Sequence, residues 1–184
     1  MDELRVTDPK AIRALAHPTR LALLEILVGE GQATATRCAE LSGHSVASCS
    51  FHLRTLAKHG FIEVVPGPGR EKPWRLTELR QRIDSDSRAA AAAFDEFFLG
   101  HEFARLRAWQ ERSHEEPEEW RRASVQGGAT AWLTAAELAG FAAELDALIE
   151  RWFASRARGP HAEDRRPVRL FTATSLGLYD PAAD

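Results

Sequence analysis

The chain has 184 residues, of which 44% are hydrophobic and 28% charged, as is usual for one large or two small globular domains. Its longest apolar run is far shorter than the roughly 20 residues of a membrane span, and the polar N-terminus MDELRVTDPK lacks the pattern of a secretory signal. Two cysteines do not make a disulfide framework and fit a reducing cytoplasm.

The net charge of −3 hides a difference between the two halves of the chain. Residues 1–82 contain 12 Lys+Arg and 9 Asp+Glu, which gives +3, whereas residues 83–184 contain 12 and 18, which gives −6. This asymmetry suggests a different partner for each half. The positive charge of the first half is also clustered, which gives a modest excess more weight.

Caps and prolines mark the first two predicted helices. Asp8 followed by Pro9 indicates a helix start, because aspartate caps the unpaired N–H groups and proline needs no N–H at that position. This helix ends before Pro18, which begins the second. Gly29 and Gly31 are expected to end the second helix.

A third and a fourth helix follow, joined by a tight turn. Thr34 or Thr36 is expected to cap the third helix and Ser45 the fourth, which spans about residues 46–59. Between them, Gly43 can adopt the left-handed backbone that a corner between two helices needs. The pattern therefore predicts a helix-turn-helix unit.

The fourth helix has two different faces. Cys49, Leu53 and Leu56 recur at i, i+4 and i+7, which predicts a side packed against the core. The rest of the helix carries hydroxyls and cations, and no Asp or Glu occurs between Glu40 and Glu63. A helix without acidic residues is suited to lie against phosphates and base edges, so DNA is the expected partner.

A short hairpin with a basic tip is predicted next. Residues 61–65 and 72–76 have strand composition, while the PGPG sequence between them cannot be regular structure. Proline in the return strand is tolerated because such a strand lies at the edge of a sheet. Arg70 and Lys72 place positive charge near the tip.

The second half predicts helices with a small β element. A long helix rich in alanine and aromatic residues begins after Glu78, and residues 118–134 suggest a turn with a short strand. Thr134 and Glu137 have the spacing of a capping box and start a late amphipathic helix. Residues 168–174 are expected to form a final strand.

The stretch ALAHPTRLALLEIL, followed by a helix-turn-helix and by HLRTLAKHGFIE, resembles the arsenic-repressor-like (ArsR) winged helix-turn-helix regulators of bacteria. The resemblance covers about residues 9–77. The stretch Trp132–Leu138 is similar to the start of a late helix in an actinobacterial-type branch with an extended C-terminal region. This resemblance implies a homodimer on a near-palindromic operator, usually acting as a repressor.

By position, the resemblance also implies which residues contact DNA. Hydroxyls can donate or accept hydrogen bonds at base edges, an arginine can grip a guanine, and wing cations can neutralise phosphates. Phe51 has two open readings: it contacts a thymine methyl, or it packs against the neighbouring helix. The candidate DNA-binding residues are Ser45, Ala47, Ser48, Ser50, Phe51, His52, Arg54, Arg70 and Lys72.

The sequence predicts no metal site and no cofactor. Some ArsR-like regulators sense metals through a Cys-x-Cys in the third helix, but the corresponding stretch here holds Cys38 alone. His101 and His114 are 13 residues apart, which on a straight helix is nearly 20 Å and too far for one ion. Cys49 is expected to be a small buried residue rather than a thiol switch.

We therefore expect a mainly α (α+β) protein with a winged helix-turn-helix domain in residues 1–80 and a helical dimerisation region in residues 81–184. The expected function is sequence-specific binding of double-stranded DNA by a homodimeric transcriptional repressor in the cytoplasm, at the nucleoid when bound. The absence of Walker, HExxH and GxSxG motifs argues against an enzyme.

Two alternatives stay open. Winged helices also serve as protein–protein interaction modules. The second half could instead hold a small apolar effector, in a pocket lined by tryptophans, although a core and dimer interface explains them more simply. These tryptophans are Trp74, Trp109, Trp120, Trp132 and Trp152.

Overall fold

The computed structural model describes residues 3–66, 71–78, 80–83, 87–153 and 164–176. It confirms a mainly helical chain with a small two-stranded antiparallel sheet. The elements in chain order are β1 (Glu3–Val6), α1 (Pro9–Leu15), α2 (Pro18–Glu30), α3 (Ala35–Ser42), α4 (Val46–Lys58), β2 (Ile62–Val64), β3 (Trp74–Leu76), β4 (Arg80–Ile83), α5 (Arg88–Arg112), α6 (Glu118–Ala123) and α7 (Ala135–Trp152).

Side-chain caps start the first two helices. The Asp8 carboxylate accepts a hydrogen bond from the Lys10 backbone N–H at 2.9 Å, as expected for the start of α1. At the start of α2 the His17 ring takes the same role, and its Nδ1 accepts from the Thr19 N–H at 3.1 Å. The second helix continues through Gly29 and ends with Gly31 as its C-cap.

The helix-turn-helix forms where the sequence predicts it. Thr34, rather than Thr36, caps α3, because its hydroxyl accepts from the Arg37 N–H at 3.2 Å. Gly43 ends α3 in the left-handed region with φ of +72°. Its N–H donates to the Ala39 carbonyl, so the turn closes the end of α3.

One core holds the N-terminal elements together. The inner side of α4 and the start of the hairpin lie at its centre, where several large side chains have no exposed surface. The beginning of α5 belongs to the same core through Ala90 and Phe94. The fully buried members are Ile12, Leu23, Cys38, Cys49, Leu53, Leu56 and Phe61.

The hairpin packs as a wing beside the helix-turn-helix. β2 and β3 are antiparallel with Ile62 opposite Leu76, and they are shorter than the predicted strands. Ala33 forms a bridge to Trp74 with two backbone hydrogen bonds of 3.0 and 2.8 Å, which ties the wing to the segment before α3. The tip, including the predicted DNA contact Arg70, lies outside the described residues.

The sequence did not predict a second strand pair. β1 and β4 lie parallel, with Val6 opposite Ile83. β4 occupies the start of the region in which the long helix was expected, so α5 begins only at Arg88. Its first turns then pack against α1.

The strand expected within residues 118–134 is wrong. α6 covers the beginning of that stretch, and residues 124–134 are exposed and have no regular secondary structure. The Gly127-Gly128 pair interrupts any alternation, and no apolar surface covers the segment. Its single large aliphatic residue before Leu133, Val125, is 93% exposed.

The final strand expected at residues 168–174 is also wrong. This segment has no regular secondary structure and no strand partner among the described residues. It lies on α5 instead: the Phe171 ring contacts the ring of Phe98 edge-on at 6.0 Å, and Arg169 pairs with the buried carboxylate of Glu102 at 2.5 Å. Arg169 and Phe171 make these contacts with α5, whereas Val168 and Leu170 are exposed.

Within the described residues, no helix combines the length and the apolar character that crossing a bilayer requires.

Candidate nucleic-acid interface

The exposed face of α4 is the candidate surface for reading DNA. Its buried stripe of Cys49, Leu53 and Leu56 anchors the helix on the core, so the opposite side points to solvent. The exposed residues recur at i, i+4, i+7 and i+11, one row along a helix. They are Ala47, Phe51, Arg54 and Lys58.

The predicted serine contacts lie at the edges of this face. Ser48 and Ser50 are both half-buried, one on each flank of the exposed row. Ser45 is the N-cap of α4, and its hydroxyl oxygen accepts from the Ser48 N–H at 3.2 Å. The hydroxyl proton of Ser45 stays available to donate, so the cap does not exclude a phosphate contact.

Phe51 stands out from the helix surface. Its side chain is 58% exposed, and its ring contacts the His52 ring edge-on with centroids 5.2 Å apart. One side of the Phe51 ring therefore packs against His52, and the other side is exposed to solvent. An exposed aromatic ring beside Arg54 offers apolar contact for a thymine methyl next to a donor for guanine.

His52 faces inward and lies close to two other histidines, His17 and His44. The sequence did not predict that these three residues are neighbours. The His17 and His52 rings lie 4.5 Å apart, and His44 Nε2 is 3.4 Å from the Thr19 hydroxyl. The Nδ1 atom of His52 is buried and has no hydrogen-bond partner. The three histidines come from the α2 cap, the helix-turn-helix corner and α4.

Burial sets the charge of this group. Desolvation lowers the pKa of His17 and of His52, and the positive charge of Arg20 lowers both further. His52 is thus neutral at pH 7.

In the described part of the wing, the predicted contact Lys72 is exposed. Its neighbour Glu71 accepts from the Thr36 N–H at 3.0 Å, and this bond lowers the pKa of the Glu71 carboxyl. Arg75 pairs with Glu63 at 2.7 Å, so the charge of that arginine is balanced within the sheet. The Glu71 bond fixes the wing beside α3 and holds Lys72 near the helix-turn-helix.

Lys58 is a further candidate contact that the residues predicted from the sequence did not include. This residue is exposed in the last turn of α4, four residues after Arg54 and on the same row. Helical periodicity, continued one turn past Arg54, is the signal that identifies it.

The two cysteines belong to the core. Cys38 and Cys49 are both free and have no exposed surface, which confirms the packing role expected for Cys49. Burial raises the pKa of the Cys38 thiol to about 11. Among the described residues, no group of three or more His, Cys, Asp or Glu side chains is arranged to hold a metal ion.

Residues 15–65 match the model of a family described as a helix-turn-helix domain. This match runs from the end of α1 to the end of β2, and with the observed geometry it confirms the winged helix-turn-helix expected from the sequence. A search of the curated proteins finds no match to the chain.

Distant likenesses to solved structures are found as well. One is the homodimeric winged helix-turn-helix DNA-binding domain (fragment 1-100) of Mb0332 from Mycobacterium bovis, a possible ArsR-family transcriptional regulator, at 20% identity over 50% of this chain and 76% of that one, with a TM-score of 0.35. Another is Lactococcus lactis ZitR in complex with DNA, at 20% identity over 73% and 74%, with a TM-score of 0.35. Likenesses this distant do not decide what this chain binds.

Proposed function

Since the chain carries an ArsR-like winged helix-turn-helix of the kind found in DNA-binding transcription regulators, we propose that it acts as a homodimeric repressor on a near-palindromic operator. In this proposal residues 1–80 read DNA, residues 81–184 dimerise, and the protein works at the nucleoid in the cytoplasm. The observation that carries it is the exposed, acid-free row on α4, which ends in Arg54 and Lys58.

The chemistry of this row suits a major groove. An α-helix fits the groove, and the bidentate contact of arginine to a guanine edge is the commonest specific contact there. Arg54 is exposed in the middle of the row, with the open Phe51 ring one turn before it and Lys58 one turn after it. The row therefore offers a base contact, a methyl contact and a phosphate contact within three turns of one helix.

The surroundings of α4 favour an anionic partner. The nearest acid before it in sequence, Glu40, pairs with Arg37 at 3.2 Å, and Glu63 after it pairs with Arg75. Lys72 extends the positive surface on the wing. Two such surfaces in a symmetric dimer would read two half-sites about 34 Å apart, one helical turn of DNA.

Affinity measurements on two alanine variants test this proposal. Arg54→Ala should weaken binding to the preferred duplex by about 5- to 150-fold, the equivalent of about 1–3 kcal/mol, and should relax one base preference. Lys58→Ala should weaken binding to every duplex alike and make the salt dependence less steep, because a phosphate contact carries no sequence information.

Arg122→Ala is the matched control. Arg122 lies on α6, is exposed and pairs with Glu118 at 2.5 Å, so its removal also deletes one positive charge but leaves α4 intact. This variant should bind DNA like the wild type. Equal affinity of the wild type, Arg54→Ala and Lys58→Ala for all duplexes would contradict the proposal.

The alternative of a tryptophan-lined effector pocket finds no support in the described part of the chain. Trp132 and Trp152 are 76% and 54% exposed. One groove on the described part of α5 has a volume of about 500 Å³, is open to solvent and has no tryptophan in its lining.

A further inference from the structure

His52 lies between two other rings at the place where α4 packs on the start of α2. The centroid of its ring is 4.5 Å from that of His17, with the two planes inclined by 38°, and 5.2 Å from that of Phe51, which it meets edge-on. His17 is the N-cap of α2, whereas Phe51 is 58% exposed on α4. Three rings in contact thus join the α2 cap to the exposed row of α4.

The contact with His52 restricts a side chain that is otherwise free to turn. A ring with more than half of its surface in solvent can occupy several staggered rotamers, and ordering it on binding costs free energy. The edge-on contact favours one of these rotamers, since aromatic pairs prefer this geometry. Phe51 therefore has a position that His52 sets before any partner binds.

This arrangement requires both histidine rings to be neutral. The Nδ1 atom of His17 accepts a hydrogen bond from the Thr19 N–H at 3.1 Å, so it carries no proton. The Nδ1 atom of His52 is buried and has no hydrogen-bond partner. Both nitrogens of an imidazolium ring carry N–H groups. Protonation would therefore remove the cap of α2 at His17 and leave a buried, unpaired donor at His52.

The surroundings of His52 oppose a proton as well. Burial lowers the pKa of His52 most, followed by the charges of His17 and Arg20 at the start of α2 and of His44 in the turn before α4. No carboxylate of the described residues is among the groups that act on this pKa. The other charged residues of the elements packed against α4 are exposed or held in salt bridges: Lys10 and Arg13 of α1 are exposed, Glu25 and Glu30 of α2 pair with Arg105 and Arg37, Glu40 of α3 pairs with Arg37, and Glu63 of β2 pairs with Arg75.

We propose that His52 is a positioning residue for base recognition: its neutral ring, packed on His17, holds Phe51 where the phenylalanine ring contacts a thymine methyl, and protonation of His52 releases that ring. The proposal rests on the DNA-binding function proposed above and assigns one base contact within the exposed row. It also separates two roles for His52. A histidine that touched a phosphate would strengthen binding when protonated, whereas a positioning histidine would lose the thymine contact.

Two versions of one duplex test this contact. The first is the duplex that the full chain selects from random sequences, and the second has deoxyuridine in place of every thymine, which removes only the C5 methyl groups. At about pH 7.5 the wild type should bind the thymine duplex about fourfold more tightly for one contacted methyl. At about pH 5, below the usual range of histidine, this ratio should fall towards one. Since both duplexes are measured at the same pH, changes in phosphate contacts cancel in the ratio.

Two substitutions of His52 separate the ring from its charge. His52→Phe keeps an aromatic ring and loses no hydrogen bond at Nδ1, because that atom has no partner, so the thymine preference should persist at about pH 5. His52→Ala removes the ring, so the preference should fall towards one at both pH values. His114→Gln is the control: its side chain is 73% exposed after α5, and this variant should keep the pH dependence of the wild type. Thermal unfolding followed by circular dichroism should show all three variants folded at about pH 7.5.

NMR of the full chain without DNA tests the positioning separately. Scalar couplings of Phe51 should report one χ1 rotamer while the His52 ring is neutral and an average of rotamers once it is protonated. In His52→Phe the single rotamer should persist across the same pH range. A Phe51 rotamer that stays constant while His52 takes up its proton would overturn the positioning role.

The binding results distinguish this inference from the function on which it rests. A wild type that binds both duplexes equally at about pH 7.5, or a thymine preference in His52→Ala as large as that of the wild type, would overturn the inference and leave DNA binding intact. A wild type that binds no duplex would contradict the DNA-binding function and the thymine contact with it. The NMR couplings would then still decide whether His52 positions Phe51.

Discussion

Replacing Gly43 with alanine should lower the free energy of unfolding by about 1 kcal/mol. Gly43 joins α3 to α4 with φ of +72° and ψ of 6°, and an L-residue in this left-handed region costs about 1–2 kcal/mol. A Cβ atom added there would meet nothing within 4 Å, so no steric clash adds to the cost. The smaller conformational freedom of alanine in the unfolded chain offsets about 0.4–1 kcal/mol.

Urea unfolding measures this loss. With a denaturant slope of about 2 kcal/mol per molar, the midpoint should fall by about 0.5 M. Gly43→Asn should lose less, because asparagine tolerates the left-handed region better. Gly29→Ala is the control: Gly29 lies within α2 with equally open space, so alanine should raise the stability by about 0.5–1 kcal/mol. The reasoning is refuted if Gly43→Ala is as stable as the wild type, or if Gly29→Ala is destabilised as much.

Three further outcomes are expected. Leu53→Ala should lower the free energy of unfolding by about 2–5 kcal/mol, measured by urea unfolding, because the side chain is fully buried beneath α4; a loss below 1 kcal/mol would contradict this packing. Since the pKa values of His17 and His52 are lowered from 6.5, the unfolded chain takes up protons first as the pH falls, and the free energy of unfolding should fall from about pH 8 to about pH 5. His52→Gln should show a smaller fall, and an unchanged pH dependence would count against the assignment. With a thiol pKa of about 11, Cys38 should react with a thiol reagent at pH 8 only after the chain unfolds. Fast labelling of the folded chain would contradict the burial of this thiol.

Features decided by neighbouring residues could be predicted from the sequence. The caps at Asp8, Thr34 and Ser45 depend on side chains that reach backbone groups two or three residues away, and each is observed. The left-handed turn at Gly43 is local in the same sense. The two faces of α4 follow from helical periodicity, which is why its core stripe was correct and why Lys58 could have been found.

Features decided by distant residues could not be predicted. The parallel pairing of Val6 with Ile83 joins strands that are far apart in the chain. The residue pattern of neither strand indicates which other strand it pairs with. The approach of His17 to His52 depends on how α2 packs on α4. The stretch around Phe171 has the composition of a strand, yet composition alone does not tell contact with a sheet from contact with a helix.

The second half shows a different limit. The sequence predicted α7 and its capping box correctly. On its apolar side Phe141 and Leu148 are 49% and 44% exposed. Periodicity predicts that a helix has an apolar side, but it does not say which molecule contains the opposing surface.

The central claim is that the exposed row of α4 reads DNA, and the most direct test is the set of sequences that the full chain selects from random duplexes at physiological salt. We expect two inverted half-sites about 10–10.5 base pairs apart, centre to centre. Arg54→Ala should select the same spacing with one base position relaxed in each half-site. Absence of any selected sequence, or an unchanged preference at every position in Arg54→Ala, would contradict the claim.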